Sequence, residues 1–219
     1  MEGFNMNGKP KKLTTIAMLC TITYVVMAVG RIPVVLFLKY DPSDVIVALS
    51  GFIWGPTTSC IVSVAVAVIE MITVSETGIW GCIMNIIQTL SFACTAAVIY
   101  KKKHTLAGAV SGLAAGWIIA TAVMLLWNYL VTPIYMGYPR EAVAEMLVPV
   151  FLPFNLLKGG LNAAFTFLLY KPVVTALRKS GYVSTVENGT RRRHTGLILL
   201  ALLIIITCIL FLLSMNGII

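Results

Sequence analysis

The sequence predicts an all-α protein: a polytopic membrane helix bundle with a six-span core and a seventh span at the C-terminal end. Three observations carry this. The 219 residues are 59% hydrophobic and only 11% charged, whereas soluble domains carry about 25% charged residues. Several apolar runs reach the length of roughly 20 residues that a helix needs to cross a bilayer. Those runs are continuous rather than alternating, which argues against a membrane β-barrel. The net charge of +8 does not imply a nucleic-acid partner, because the basic residues gather at the ends of apolar runs, where they act as topology signals. The partner at this level is the lipid bilayer. Cys20, Cys60, Cys82, Cys94 and Cys208 lie in or beside apolar runs, without a CxxC pair or a histidine cluster. They read as small packing residues, and no metal site is expected.

Span 1, Leu13–Gly30, follows Lys9, Lys11 and Lys12 and is long for the apolar core of a signal peptide, so it is expected to be retained. Ala17 and Thr21 form a small-xxx-small pair, which on the residues alone reads as ordinary packing inside the bundle. The next stretch, RIPVVLFLKYDPSD, is interrupted by Pro33 and Pro42 and is too apolar for a free loop. Its polar residues collect at the end: Lys39, Tyr40, Asp41, Ser43 and Asp44. Asp44 or Ser43 is expected to cap span 2, and Lys39 to pair with an acid at the interface; the same loop could fold over a binding site. Span 2, Val45–Trp54, is short, and Gly55-Pro56 turns the chain directly into span 3, Thr57–Val74, with Glu70 near its end.

Span 4, Gly81–Tyr100, carries Asn85 and Gln88 near its start and ends in Lys101-Lys102-Lys103. Span 5, Leu106–Val131, begins with Gly108, Gly112 and Gly116, which suit close helix packing, and ends in Trp127, Asn128 and Tyr129. Residues 132–149 read as an irregular, partly helical loop. Span 6, Pro153–Lys171, holds Asn155, Lys158, Gly159, Gly160 and Asn162. Asn155 and Lys158 are three apart and share a helix face. The chain therefore divides into a membrane domain, 1–182, a basic cytoplasmic linker, 183–195, and an additional C-terminal helix, 196–219. This last span, almost uniformly aliphatic, is expected to face lipid without a direct role in the site.

Positive charge prefers the cytoplasmic side. Lys9–Lys12, Lys101–Lys103, Arg178–Lys179 and Arg191–Arg193 all satisfy that rule if the N-terminus is cytoplasmic and the chain is a multi-pass protein of the plasma membrane. The costly polar residues then share the outer half: Lys39 to Asp44, Glu70, Asn85, Gln88, Asn128, Asn155 and Lys158. A lysine at the bilayer centre costs about 2.5–3.5 kcal/mol, so Lys158 requires a polar cavity. The arrangement implies a pocket walled by spans 4, 5 and 6 and lidded by the first outer loop. Its carboxamides offer paired donors and acceptors, and its aromatic and aliphatic residues offer a planar slot. This chemistry favours a small, ring-bearing solute over an ion. No P-loop, HExxH or Gly-x-Ser-x-Gly is present. An enzyme acting on lipid-linked substrates is the competing class, with Glu70 and Lys158 as its one available acid–base pair; no catalytic residues and no cofactor are expected.

The runs LKYDPSD, GFIWGP, Asn128-Tyr129 with Pro133-Ile134-Tyr135, PFNLLKG and LLYK resemble the riboflavin-specific substrate-binding subunits of energy-coupling factor (ECF) transporters, over about Lys11 to Lys179. The resemblance implies a six-helix subunit that takes riboflavin from outside and docks on a transmembrane coupling subunit driven by two ATPase subunits. It implies flavin contacts from Asn128, Asn155 and Lys158 and a covering loop over Leu38 to Ser43. An S component for another vitamin or precursor is the near alternative. Such subunits often carry an Ala-xxx-Ala docking face on span 1; here Ala17 and Thr21 stand in that place, a departure. The seventh span lies outside the six-helix pattern.

Overall fold

The computed structural model of the chain describes residues 9–35, 38–75, 77–179 and 195–215. The order is α1 (Lys9–Gly30), β1 (Ile32–Val35), β2 (Leu38–Tyr40), α2 (Ser43–Trp54), α3 (Pro56–Thr73), α4 (Gly78–Thr89), α5 (Thr95–Lys103), α6 (Leu106–Met136), α7 (Arg140–Met146), α8 (Leu152–Lys179) and α9 (Thr195–Met215). Two π-helical segments, Leu90–Cys94 and Leu147–Phe151, join α4 to α5 and α7 to α8. Among the described residues five stretches are long and apolar enough to cross a membrane: 13–30, 56–73, 78–103, 106–136 and 140–176. Helices suit this environment because every backbone group between their ends is satisfied within the segment.

α2 departs from that pattern for a physical reason. Its 12 residues reach only about 18 Å at 1.5 Å per residue, short of a hydrocarbon core about 30 Å thick. It forms the centre of the bundle, with nine residues from Ser43 to Phe52 buried, and α1, α3, α5 and α8 pack around it. One apolar core runs through Leu19, Val47, Phe52, Val62, Phe92, Ala96 and Leu113. A second joins Val34, Leu38 and Tyr40 to Val143, Phe151, Phe154, Leu157 and Leu161.

Glycine sets the spacing of the long helices. A Cβ on Gly112 would lie 2.7 Å from the Ala96 carbonyl oxygen, and one on Gly116 would collide with that of Phe92. α6 thus lies directly against the backbone of the π-segment and α5. Gly159 leaves room for the Trp117 indole in the same way, drawing α6 and α8 together.

Three expectations are corrected. The stretch after span 1 is an antiparallel β-hairpin, with Ile32 opposite Tyr40 and Pro33 opposite Lys39. Residues 132–149 are not an irregular loop. α6 continues through Pro133 to Met136, and after a short turn α7, a π-segment containing Pro149, and α8 follow without a break. Proline removes one backbone donor, and the wider π turn absorbs that loss. Finally, neither Ser43 nor Asp44 caps α2 through its side chain. Asp41 Oδ1 accepts from the Ser43 N–H at 2.8 Å, a local Asx turn, and Asp44 points into the bundle. The polar linker, 183–195, falls almost wholly outside the described residues.

Candidate functional site

The polar side chains converge at one end of the bundle. The hairpin, the end of α3, the second half of α4, the end of α6 and the start of α8 surround a cavity of about 100 Å³. Arg31, Leu38, Lys39, Asp41, Glu70, Asn85, Gln88, Asn128, Asn155 and Lys158 line it, with Met84, Met124, Tyr135 and Phe154 supplying apolar surface. Eight of the expected site residues therefore share one cavity. Tyr40 and Ser43 do not line it: Tyr40 is buried beneath, and Ser43 borders a small neighbouring void with Asp44 and Thr89. The exposed lysines Lys101 to Lys103 sit at the C-terminal end of α5, and so at the opposite end of the α4–α5 span from the cavity.

Each carboxamide is aimed by its own helix. Asn155 Nδ2 donates to the Phe151 carbonyl at 2.7 Å. Only an amide NH₂ can meet a carbonyl, so Oδ1 is turned the other way and has no protein donor among the described residues. It offers an acceptor to a ligand N–H. Asn128 Nδ2 donates to the Met124 carbonyl at 2.7 Å and its Oδ1 accepts from Thr132 at 3.0 Å, which holds the side chain in one rotamer. The Gln88 Oε1 is buried without a hydrogen-bond partner among the described residues, on a residue that faces the cavity. An unpaired buried acceptor costs about 1–3 kcal/mol, and a ligand donor would relieve it.

Beneath the cavity lies a buried polar network centred on Asp44, the residue expected to cap span 2. Asp44 accepts from Thr89 Oγ1 at 2.6 Å and from Asn162 Nδ2 at 3.1 Å, and Lys158 Nζ stands 3.7 Å away. The Tyr40 hydroxyl donates to Asn162 Oδ1 at 2.9 Å. Burial first, then Asp44 and Asp41, push the Tyr40 phenol well above its usual range, so it stays a neutral donor. α2, α4 and α8 thus meet at the Asp44 carboxylate, and the hairpin joins them through Asn162. Asp44 answers the charge on Lys158, and Lys158 keeps donor capacity for the cavity.

Arg31, which the sequence reading passed over, closes the mouth. Its Nη2 meets Glu70 at 2.7 Å and Asp41 at 3.1 Å, while Asn85 Nδ2 donates to the other Glu70 oxygen at 2.7 Å. Burial opposes the guanidinium charge, but Glu70 and Asp41 outweigh it and hold the group above its ordinary value. Glu70 and Lys158 are therefore each committed to other partners and do not form an acid–base pair. The partners of Arg31, Asp41 and Glu70, lie 10 and 39 residues along the chain, a pairing that spacing in the sequence does not reveal. Ala17 and Thr21 lie on an exposed face of α1, with the Thr21 hydroxyl donating to the Ala17 carbonyl at 2.9 Å; the expectation that they pack inside the bundle is corrected.

Residues 11–170 match the family of ECF transporter substrate-specific components. The riboflavin transporter RibU of Staphylococcus aureus (strain TCH60) is 29% identical over 190 residues, covering 80% of this chain and 100% of that protein. The riboflavin transporter FmnP of Bacillus subtilis (strain 168) is 30% identical over 177 residues, covering 74% of this chain and 92% of that protein. A solved structure of the S component of a bacterial ECF transporter superposes with a TM-score of 0.66 at 29% identity, covering 78% of this chain and 99% of the other.

Proposed function

The chain belongs to the substrate-specific components of ECF transporters, and on that premise we propose that it captures riboflavin outside the cell and hands it to an ATP-driven coupling module. Relatives sharing 29% and 30% of their residues with it are riboflavin transporters. The observation that carries the reading is that Asn128, Asn155 and Lys158, from two separate helices, line one cavity together with the unpaired Gln88. A flavin ring presents alternating C=O and N–H groups along one edge. Asn155 Oδ1 accepts from a ring N–H, and Lys158 and the second Asn128 amide hydrogen donate to ring carbonyls. Met84, Met124, Tyr135 and Phe154 enclose the planar body. Leu38, Lys39 and Asp41 close the mouth, and Glu70 with Asn85 fixes its rim. Tyr40 and Ser43 support this wall from behind.

The N-terminus lies in the cytoplasm, so the cavity opens outward. The chain works as a binding subunit rather than an enzyme, its polar groups arranged for recognition. Ala17 and Thr21 form the face that meets a transmembrane coupling subunit, itself driven by two ATPase subunits. Purified protein is expected to quench riboflavin fluorescence at nanomolar concentrations. Protein that leaves riboflavin fluorescence unchanged, but is stabilised against heat by another vitamin, would transfer the reading to that ligand; stabilisation by none would refute it.

A further inference from the structure

α9 does more than face lipid. Leu199, Leu203, Ile206 and Leu210 are exposed, as a lipid-facing surface requires. Another face is not. Ala201 is buried at 5% exposure, and Ile205 and Cys208 pack against the apolar cluster that joins β1 and β2 to α8. Residues 201, 204, 205 and 208 follow the i, i+3, i+4, i+7 spacing of a single helix face. A Cβ placed on Gly160 would lie 3.7 Å from both Cys208 Sγ and Ile204 Cγ2, so the two helices touch across a glycine two residues from Lys158. α9 also contacts β1. Leu38 and Phe154 belong to this same cluster and line the cavity on its other side. The helix that backs this wall lies beyond residues 11–170, the part matched to the family.

We propose that α9 is a positioning element for ligand capture. Through Ile205 and Cys208 it presses the hairpin and the start of α8 together, and so slows escape of whatever the cavity holds. The ligand part of this rests on the riboflavin reading above; the bracing of the hairpin does not. A wall packed on one side only can peel outward, because its apolar face gains nothing by staying closed beyond what it buries. Packing a further helix behind it adds buried apolar contact that must be broken before the wall moves.

The test uses the full chain in lipid nanodiscs. An inner-face variant, Ile205→Ala with Cys208→Ala, is compared with an outer-face variant, Ile206→Ala with Ile209→Ala, whose side chains are exposed. Amide hydrogen exchange over Ile32–Tyr40 is measured without ligand and is expected to rise about tenfold in the inner-face variant alone. Riboflavin release, followed by fluorescence recovery, is expected to quicken by about tenfold in the inner-face variant. Unchanged hairpin exchange in the inner-face variant overturns the proposal, as does an equal rise in both variants. Wild-type protein that ignores riboflavin would refute the functional reading, yet hairpin exchange would still decide the role of α9. Should the double variant fail to fold, Ile205→Val alone is expected to raise exchange about threefold, and no rise overturns the proposal equally.

Discussion

Two cavity residues, Gln88 and Lys158, differ in what holds them, and that difference separates binding from stability. Gln88 Oε1 has no partner among the described residues, so Gln88→Leu removes none of their bonds from that atom and relieves an unsatisfied buried acceptor. The ligand-free protein is expected to melt at the same temperature or higher, while riboflavin affinity falls about tenfold, the worth of one good hydrogen bond. Lys158 stands against a buried carboxylate. Lys158→Met leaves Asp44 without its counter-charge, and breaking a buried pair from one side costs about 3–5 kcal/mol. Here both melting temperature and affinity are expected to fall, the affinity at least tenfold. Paired melting and fluorescence titrations check both; an affinity unchanged by Gln88→Leu would remove Gln88 from the site. Asn128, Asn155 and Lys158 were legible because an amide or ammonium stands out in an apolar run. Asp44 and Arg31 were not, since an acid at a helix start imitates a cap and a lone arginine after a span carries no pattern of its own. Their partners, Thr89 and Asn162 for Asp44 and Glu70 for Arg31, come from distant parts of the chain, which spacing along the sequence does not reveal.

Among the elements, the distance between the cavity walls is fixed by the seam where α6 crosses the π-segment. α6 carries Asn128, and α4, leading into that segment, carries Asn85 and Gln88. Gly116 faces the carbonyl of Phe92, a backbone group that cannot swing aside as a side chain can. Gly116→Ala is therefore expected to destabilise the bundle by about 1–3 kcal/mol, as overpacking does, and to weaken riboflavin binding by widening the gap between the walls. Thermal unfolding with and without riboflavin reads both effects, and an unaltered melting temperature would mean that the helices do not meet so closely. The glycine run announced close packing in the sequence, but not its partner. The hairpin was hidden for a different reason: β1 is four residues and β2 three, too short for alternation to register, and Pro33 argues against a strand unless it lies at an edge. The cavity of about 100 Å³ is also smaller than the 300–1,000 Å³ common for ligand pockets. A wall must yield when a vitamin enters. The hairpin is the slightest element there, restrained by the Arg31 ion pairs on one side and by α9 on the other.

For the molecule as a whole, the polar cavity occupies one end and the exposed lysines of α5 the other, which gives the bundle a direction across the membrane. The outward-facing surface of α1 then needs its own explanation. Met18, Ile22 and Val25 are exposed there, as are Ala17 and Thr21. Lipid makes no demand for small residues, because a leucine serves as well against an acyl chain; another helix does, because small side chains let backbones approach. The Thr21 hydroxyl is satisfied by the Ala17 carbonyl, so that group would present no unpaired donor to a docking helix, and the face suits close helix contact. Replacing both residues, Ala17→Trp with Thr21→Trp, should leave the cavity untouched, since neither lines it. Riboflavin affinity of the isolated subunit is expected to stay within about twofold, as for surface changes remote from a site. Uptake by cells that carry the proposed coupling module is expected to fall at least tenfold, because two indoles would hold the helices apart. Normal uptake by the double variant would place the docking surface on another face of the bundle, whereas lost affinity in the isolated subunit would show that α1 shapes the cavity itself.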